Sequence, residues 1–287
     1  MDVINTCPVC SSDDIAKTPA FIMPFLSYRI FGWEPLVINA EHGLRTVSAG
    51  TSYQLCATSI CGNCHLVFCD VRFDDAEMAR LYYDYRGSQY TAQRVLFEPD
   101  YKATDDYLRS PVHYLDETTS YLDQHITEVR NVLDWGGGDG TNTPLKETGR
   151  DIYIYDISFG SDSEIKQLKS SDVTAKMSLE FDLIMSIHVF EHLSYPLSEV
   201  KKMRNMLRTD GYIYIEVPYE DLVRVGFSKN AVGKHKVHWH EHINFFGHSS
   251  LEKLLVSGGF EVIDISYCDV SDDYRDFSII RALGKKK

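Results

Sequence analysis

The sequence predicts an α/β domain built on a mostly parallel sheet with an antiparallel edge pair, preceded by a small β-rich module that carries cysteines. Three observations support this. From about Leu115 onward, short apolar runs alternate with amphipathic stretches, the pattern of strands joined by crossover helices. A glycine-rich run, Asp134-Trp135-Gly136-Gly137-Gly138-Asp139-Gly140, directly follows the first of those strands. Six of the seven cysteines lie within the first 69 residues, ahead of the α/β pattern. The expected organisation is an N-terminal module over 1–75, a tyrosine-rich helical linker over 76–114 that covers the site mouth, and the α/β domain over 115–287.

The elements of the α/β part follow from their apolar runs. A helix around Tyr114–His125 precedes a first strand over Val129–Asp134, and Asp151–Asp156 reads as the second. A weaker third falls near Asp172–Thr174, and Phe181–Ser186 is a fourth, followed by a helix across Leu197–Leu207. Asp210-Gly211 then turns the chain into a fifth strand, Tyr212–Val217, which Pro218 stops. Ser249-Ser250-Leu251-Glu252 has the S-x-x-E spacing of a capping box, and Gly258-Gly259 ends the helix it opens. Strands over Phe260–Tyr267 and Phe277–Leu283 form the antiparallel edge pair.

Bulk properties narrow the function classes. The chain has 287 residues, 44% of them hydrophobic and 25% charged, the balance of an ordinary globular protein. No apolar run approaches the ~20 residues needed to span a bilayer, and the N-terminus lacks a signal-peptide pattern, so a cytoplasmic location is expected. The formal net charge of −13 disfavours nucleic acid as a partner and points to a small-molecule substrate.

The glycine run supplies the first chemistry. Glycines let a backbone approach a ligand and turn into a helix whose amides face it. Asp156, at the tip of the second strand, can accept both hydroxyls of a ribose. A dinucleotide fingerprint is G-x-G-x-x-G, whereas here Gly136, Gly138 and Gly140 are evenly spaced, with Asp134 before the run and Asp139 inside it. Two carboxylates would repel a pyrophosphate and favour the sulfonium and ammonium of S-adenosylmethionine.

These residues resemble the class I S-adenosylmethionine methyltransferases, whose first motif looks like Val132 to Gly140 and whose fourth-strand motif looks like Phe181–Ile184 with His188–Leu193. The resemblance implies a Rossmann-like fold over roughly 110–285. It also implies that Asp134 and the glycines hold the methionine part, Asp156 the ribose, and Ile187-His188 the pocket wall.

Cys7-Pro8-Val9-Cys10 and Cys61-Gly62-Asn63-Cys64 are two C-x-x-C knuckles, and four thiolates so arranged close a tetrahedral structural zinc site. A β-rich insert must separate them. Cys56 and Cys69 compete as ligands, but read more simply as small buried hydrophobes. With this module the chain resembles the zinc-containing sugar methyltransferases of deoxysugar and surface-polysaccharide pathways, especially the C-methyltransferases acting on nucleotide-linked 4-keto sugars.

That resemblance implies site residues on the substrate side. A Glu-His acid/base pair falls on Glu241 and His242, a second histidine on His192, and a linker tyrosine on Tyr85. Trp239 stands where the C-methyltransferases carry a substrate-contacting tyrosine. His235, His238, His240 and His248 read as surface, Tyr83 and Tyr90 as packing, and Lys234 and Lys236 as possible partners of a substrate diphosphate. The sequence ends with the methyltransferase fold, without those enzymes' additional C-terminal domain. An O-methyltransferase of another small molecule or glycan is therefore the alternative reading, and a non-catalytic scaffold the third.

Overall fold

The computed structural model describes residues 1–103, 105, 112–146, 148–157, 166–168, 180–224, 236–271 and 276–287. The expected strand near 172–174 and the residues Lys234 and His235 lie outside them. The N-terminal part runs through β1 (Asp2–Val3), β2 (Ile15–Ile22), α1 (Pro24–Phe31), β3 (Leu36–Ile38), β4 (Gly50–Ser52), β5 (Leu55–Cys61), β6 (Val67–Cys69) and β7 (Val71–Arg72). Helix α1 departs from the helix-poor reading of this region. Pro24 supplies a preset first turn, and Gly32 in the left-handed region (φ 71°) closes the helix on Ser27 and Tyr28.

Two helices make the linker, α2 (Asp75–Tyr82) and α3 (Ser88–Phe97). A reciprocal capping box starts α2: Glu77 N–H donates to Asp74 Oδ1 at 2.9 Å, and Asp74 N–H to Glu77 Oε2 at 2.9 Å. The chain continues through α4 (Leu115–His125), β8 (Asn131–Trp135), β9 (Asp151–Tyr155), β10 (Lys166–Leu168), β11 (Phe181–Ile187), α5 (Pro196–Met206) and β12 (Leu207–Pro218). The single turn α6 (Asp221–Arg224), β13 (His238–Trp239), β14 (Asn244–Phe245), α7 (His248–Ser257), β15 (Phe260–Ser271) and β16 (Asp276–Lys286) complete it.

The main sheet has seven strands in the order β10-β9-β8-β11-β12-β16-β15, with β16 antiparallel to both β12 and β15 and the other pairs parallel. Its central strands are apolar on both faces because both faces are covered. Tyr121 and Leu122 of α4 pack with Val132, Leu183 and Met185 on one face. Val200 and Met203 of α5 and Leu254 of α7 pack with Leu133, Ile184, Ile213 and Ile215 on the other. The strand order reverses direction between β8 and β11, which opens a crevice at their carboxyl ends.

Two local expectations need correction. The helix at residue 248 is not closed by Ser249 and Glu252; Gly247 N–H instead donates to Ser250 Oγ at 2.9 Å, and that hydroxyl lies 2.9 Å from Gly247 O. The Asp210-Gly211 turn is an irregularity within β12: Asp210 takes φ 62°, and the β11–β12 register shifts between Phe181 and Leu183.

A second sheet of five strands, β13-β2-β5-β6-β14, crosses the boundaries expected from sequence. His238 and Trp239 pair with Phe21 and Ile22, and Asn244 and Phe245 pair with Phe68 and Val67. The same apolar cluster contains Cys7, Cys61, Cys64 and Phe68 together with Phe190, Phe246 and Leu254. The cysteine-bearing part and the main sheet thus share a core.

The glycine loop leaves β8 under tight constraint. Gly136 donates its N–H to Tyr155 O at 2.7 Å and sits at φ 82°, where a Cβ would overlap Val189. Gly136→Ala therefore meets both a left-handed backbone and a steric clash. It should lower stability by about 1–3 kcal/mol, read as a shift in the urea midpoint with an unchanged slope.

Candidate active site

The glycine loop, Asp156 and the turn after β11 converge on the crevice. Asp134, at the end of β8, is buried and accepts a hydrogen bond from Thr143 Oγ1 at 2.5 Å. Burial raises its carboxyl to about 7, opposed by the Thr143 hydrogen bond and reinforced by the nearby Asp156. Asp156 follows β9 and accepts the Gly138 N–H at 2.9 Å, so the second acidic tip folds back over the loop. Gly138 and Gly140 take φ 57° and 80°. Asp139 points to solvent and accepts the Thr141 N–H at 2.8 Å.

His188 follows β11 with an unusual φ of 54°, fixed by its N–H donating to Glu216 O at 2.9 Å. Its Nε2 lies 2.5 Å from the Tyr114 hydroxyl, which also donates to Glu216 Oε1 at 2.9 Å. Glu216 is fully buried on β12 and accepts from Tyr114, Thr118 and Tyr214. Burial, followed by Glu216, pushes the Tyr114 phenol well above its ordinary value.

Beyond His188, the turn meets the segment 238–245. His192 is partly buried, with Nδ1 2.9 Å from Glu241 O and its ring 4.8 Å from that of His242. The His242 Nδ1 lies 3.2 Å from Glu220 Oε1. Between the histidines and His188 sits Glu191, 2% exposed, with neither carboxylate oxygen hydrogen-bonded among the described residues. His188 Nδ1 and His192 Nε2 are each 3.7 Å from Glu191 Oε1. Burial would raise its carboxyl, but His188, His192 and His242 outweigh that and hold it down at about 2.

Glu241 is buried and engaged elsewhere. It accepts a hydrogen bond from Tyr90 Oη and pairs with Arg94 Nη1 at 3.1 Å. Although burial opposes ionisation, His240, Arg94 and Tyr90 hold its carboxyl far below the ordinary range. His240 is not a surface residue: its Nε2 lies 2.5 Å from Glu98 Oε1, while Glu98 also binds Arg94 at 2.8 Å. Its pKa is raised, because the carboxylates Glu241 and Glu98 outweigh burial.

The linker contributes aromatic walls. Tyr85, partly buried, packs edge-on against Tyr82 and Tyr90 at 5.2 Å each. Tyr82 in turn meets the His192 ring at 5.9 Å. Tyr83 is exposed rather than packed. Trp239 does not reach the crevice: it is fully buried, and its indole N–H donates to Thr58 Oγ1 at 2.9 Å. Lys236 lies over the Trp239 and Phe245 rings. His238 and His248 are exposed, as read from sequence.

Away from the crevice, Cys7, Cys10, Cys61 and Cys64 bring their sulfurs within 4.8 Å of one another. The Cys7–Cys64 and Cys10–Cys61 sulfur pairs are 3.5 Å apart. Cys56 and Cys69 stand outside this group, and Cys69 is fully buried. No helix among the described residues is long and apolar enough to cross a membrane.

Sequence reasoning missed Glu191, Glu216, Glu220, Tyr82, Tyr114 and Arg94. Only Glu191 offered a signal, its place between the two noted histidines of the fourth-strand motif.

Solved structures of similar shape include methyltransferases. An N1-methyltransferase from Burkholderia thailandensis, crystallised with 1,6-didemethyltoxoflavin and S-adenosylhomocysteine, is 15% identical; the alignment covers 89% of this chain and 100% of that one at a TM-score of 0.49. The N-methyltransferase NodS from Bradyrhizobium japonicum, in complex with S-adenosylhomocysteine, is 15% identical over 63% of this chain and 90% of that one at a TM-score of 0.43. No curated protein matches the sequence. Residues 105–265 match a family of methyltransferase domains, more than half of the 287 residues. The chain belongs to that family, with the Rossmann-like class I fold, and is an S-adenosylmethionine-dependent methyltransferase.

Proposed function

We propose that the protein methylates a nucleotide-linked or otherwise activated sugar of a deoxysugar or surface-polysaccharide pathway. The observation that carries this reading is the meeting of His192 and His242, ring centroids 4.8 Å apart, beside Tyr82 in the crevice. Two imidazoles and a phenol suit a hydroxylated acceptor that must lose a proton as it takes the methyl group. Tyr85 extends that wall. Glu241 serves as an anchor rather than a base, since Arg94 and Tyr90 occupy its oxygens. This favours an oxygen acceptor over a carbon acid, because oxygen methylation needs only one activated hydroxyl placed in line with the methyl group.

On the cofactor side, Asp134, Gly136, Gly138 and Gly140 take the methionine part, Asp156 takes the ribose, and His188 walls the pocket. Zinc in the four-cysteine cluster would be structural. Four sulfurs at about 2.3 Å from a tetrahedral ion lie about 3.8 Å from each other, close to the 3.5 Å separations observed.

Three outcomes are expected. Asp134 must be ionised to hold the cofactor's ammonium, so S-adenosylhomocysteine affinity should rise by up to about tenfold per pH unit below 7 and level off above it. Affinity independent of pH between about 5.5 and about 7.5 in calorimetry would remove that role. His242→Ala should cut methylation of nucleotide sugars, followed by mass spectrometry, by about 10²–10⁴-fold while leaving S-adenosylhomocysteine binding intact; undiminished turnover sinks the assignment. Purified protein should retain about one zinc per chain after mild chelation, and stripping it with a thiol reagent should lower Tm.

A further inference from the structure

We infer that Glu191, His192 and His242 hold a divalent transition-metal ion, in a site separate from the four-cysteine cluster. One donor atom from each of the three lies within 4.8 Å of the others. Two imidazoles and one carboxylate are a donor set that borderline ions such as Zn²⁺, Co²⁺ and Fe²⁺ take, and three protein ligands leave positions open for substrate.

Two further observations point to a ligand. The first is the Glu191 carboxylate, which is buried with both oxygens lacking a hydrogen-bond partner among the described residues. The nearest ring nitrogens, of His188 and His192, stay 3.7 Å away. A buried carboxylate is costly to leave unsatisfied, and a cation at this point would satisfy it.

The second is the orientation of the histidines. His192 Nδ1 lies 2.9 Å from Glu241 O, a carbonyl that can only accept, so Nδ1 carries the proton and Nε2 is left as the free donor atom. His242 Nδ1 lies 3.2 Å from Glu220 Oε1 and is fixed the same way. An imidazole that donates one N–H to a carbonyl or carboxylate and turns its other nitrogen inward is the arrangement of a metal-bound histidine. The competing account is that protonated imidazoles neutralise Glu191 with no ion present.

The ion's role in the reaction rests on reading this crevice as the acceptor site. Its open positions would take a hydroxyl or carbonyl oxygen of the acceptor and stabilise the anion formed there. With both imidazoles on the ion, neither acts as the base, and the acceptor's proton leaves to solvent water. The resulting electron pair forms the bond to the methyl carbon, while the carbon–sulfur bond breaks with its pair on sulfur, giving S-adenosylhomocysteine.

The test is a Co²⁺ titration of protein that has been mildly chelated so that thiolate-held zinc stays in place, followed by visible absorption. The expected result is one bound equivalent with weak d–d bands and no thiolate-to-cobalt charge-transfer band. Glu191→Gln and His242→Ala should each weaken it by at least about tenfold while S-adenosylhomocysteine binding persists. His242 is only partly buried, so its variant reads the site even where the Glu191 variant fails to fold. Absence of that Co²⁺ equivalent, or equal binding by the His242 variant, overturns the inference. A protein that binds Co²⁺ here but methylates no sugar keeps the ion and loses the acceptor; sugar methylation without Co²⁺ binding does the reverse.

Discussion

The geometry of the crevice depends on one buried amide, Asn244. Its side chain accepts from Arg72 Nη1 at 2.9 Å and donates to Phe190 O at 3.1 Å and Leu193 O at 2.7 Å. Its own N–H and that of Ile243 reach Glu191 O at 3.0 and 2.8 Å. One residue thereby joins Arg72 at the end of β7, the turn after β11 and the strand β14. Asn244 and Arg72 are both fully buried, so water cannot replace these bonds, and a shorter side chain would orphan several groups together. The turn bearing His188, Glu191 and His192 is consequently held from outside the main sheet. Arg72 itself has its pKa lowered to about 10, chiefly by burial, which shows how far from solvent this junction lies.

Glu241 fixes the other side. Its contacts to Tyr90 and Arg94 tie the linker helix α3 to the segment between β13 and β14. Because its pKa is depressed in the folded protein, its contribution is present above the unfolded-state value and fades as pH falls through the folded one. His240 has the opposite sign: its raised pKa favours the fold at low pH, and that support is lost as pH rises through the folded value. The two groups thus stabilise the same junction from opposite ends of the pH range.

What could be read from sequence follows the distance over which information is carried. The glycine run and the cysteine knuckles are local patterns, as are the main-sheet strands at 131–135, 151–155, 181–187, 207–218, 260–271 and 276–286, which lie near their expected positions; the strand expected near 172–174 falls outside the described residues. The failures are long-range. Trp239 is expected as a substrate contact because it stands where the C-methyltransferases carry a tyrosine, yet β13 adds to β2, more than 200 residues earlier, and buries it. Glu241 looked like half of an acid/base pair, but Arg94 and Tyr90, from another helix, claim it. The S-x-x-E spacing at Ser249 failed for a local reason: with the helix opening two residues earlier, Ser250 is the hydroxyl that reaches Gly247.

The charge distribution across the crevice suits methyl transfer if its two ends differ. A sulfonium loses its positive charge as the methyl group departs, and the acceptor loses its negative charge as the bond forms. Carboxylates placed at the sulfur would favour the reactant over the transition state and so tighten binding without speeding the reaction. On the cofactor reading proposed above, Asp134 and Asp156, close to the backbone of the glycine loop, act on the ammonium and ribose, groups whose charge does not change. At the acceptor end the requirement is reversed, since an anion must form next to the buried Glu191. Neutral imidazoles alone would leave that anion facing a carboxylate. Positive charge, which an ion between His192 and His242 would supply, is therefore a physical requirement of any acceptor activated at this point.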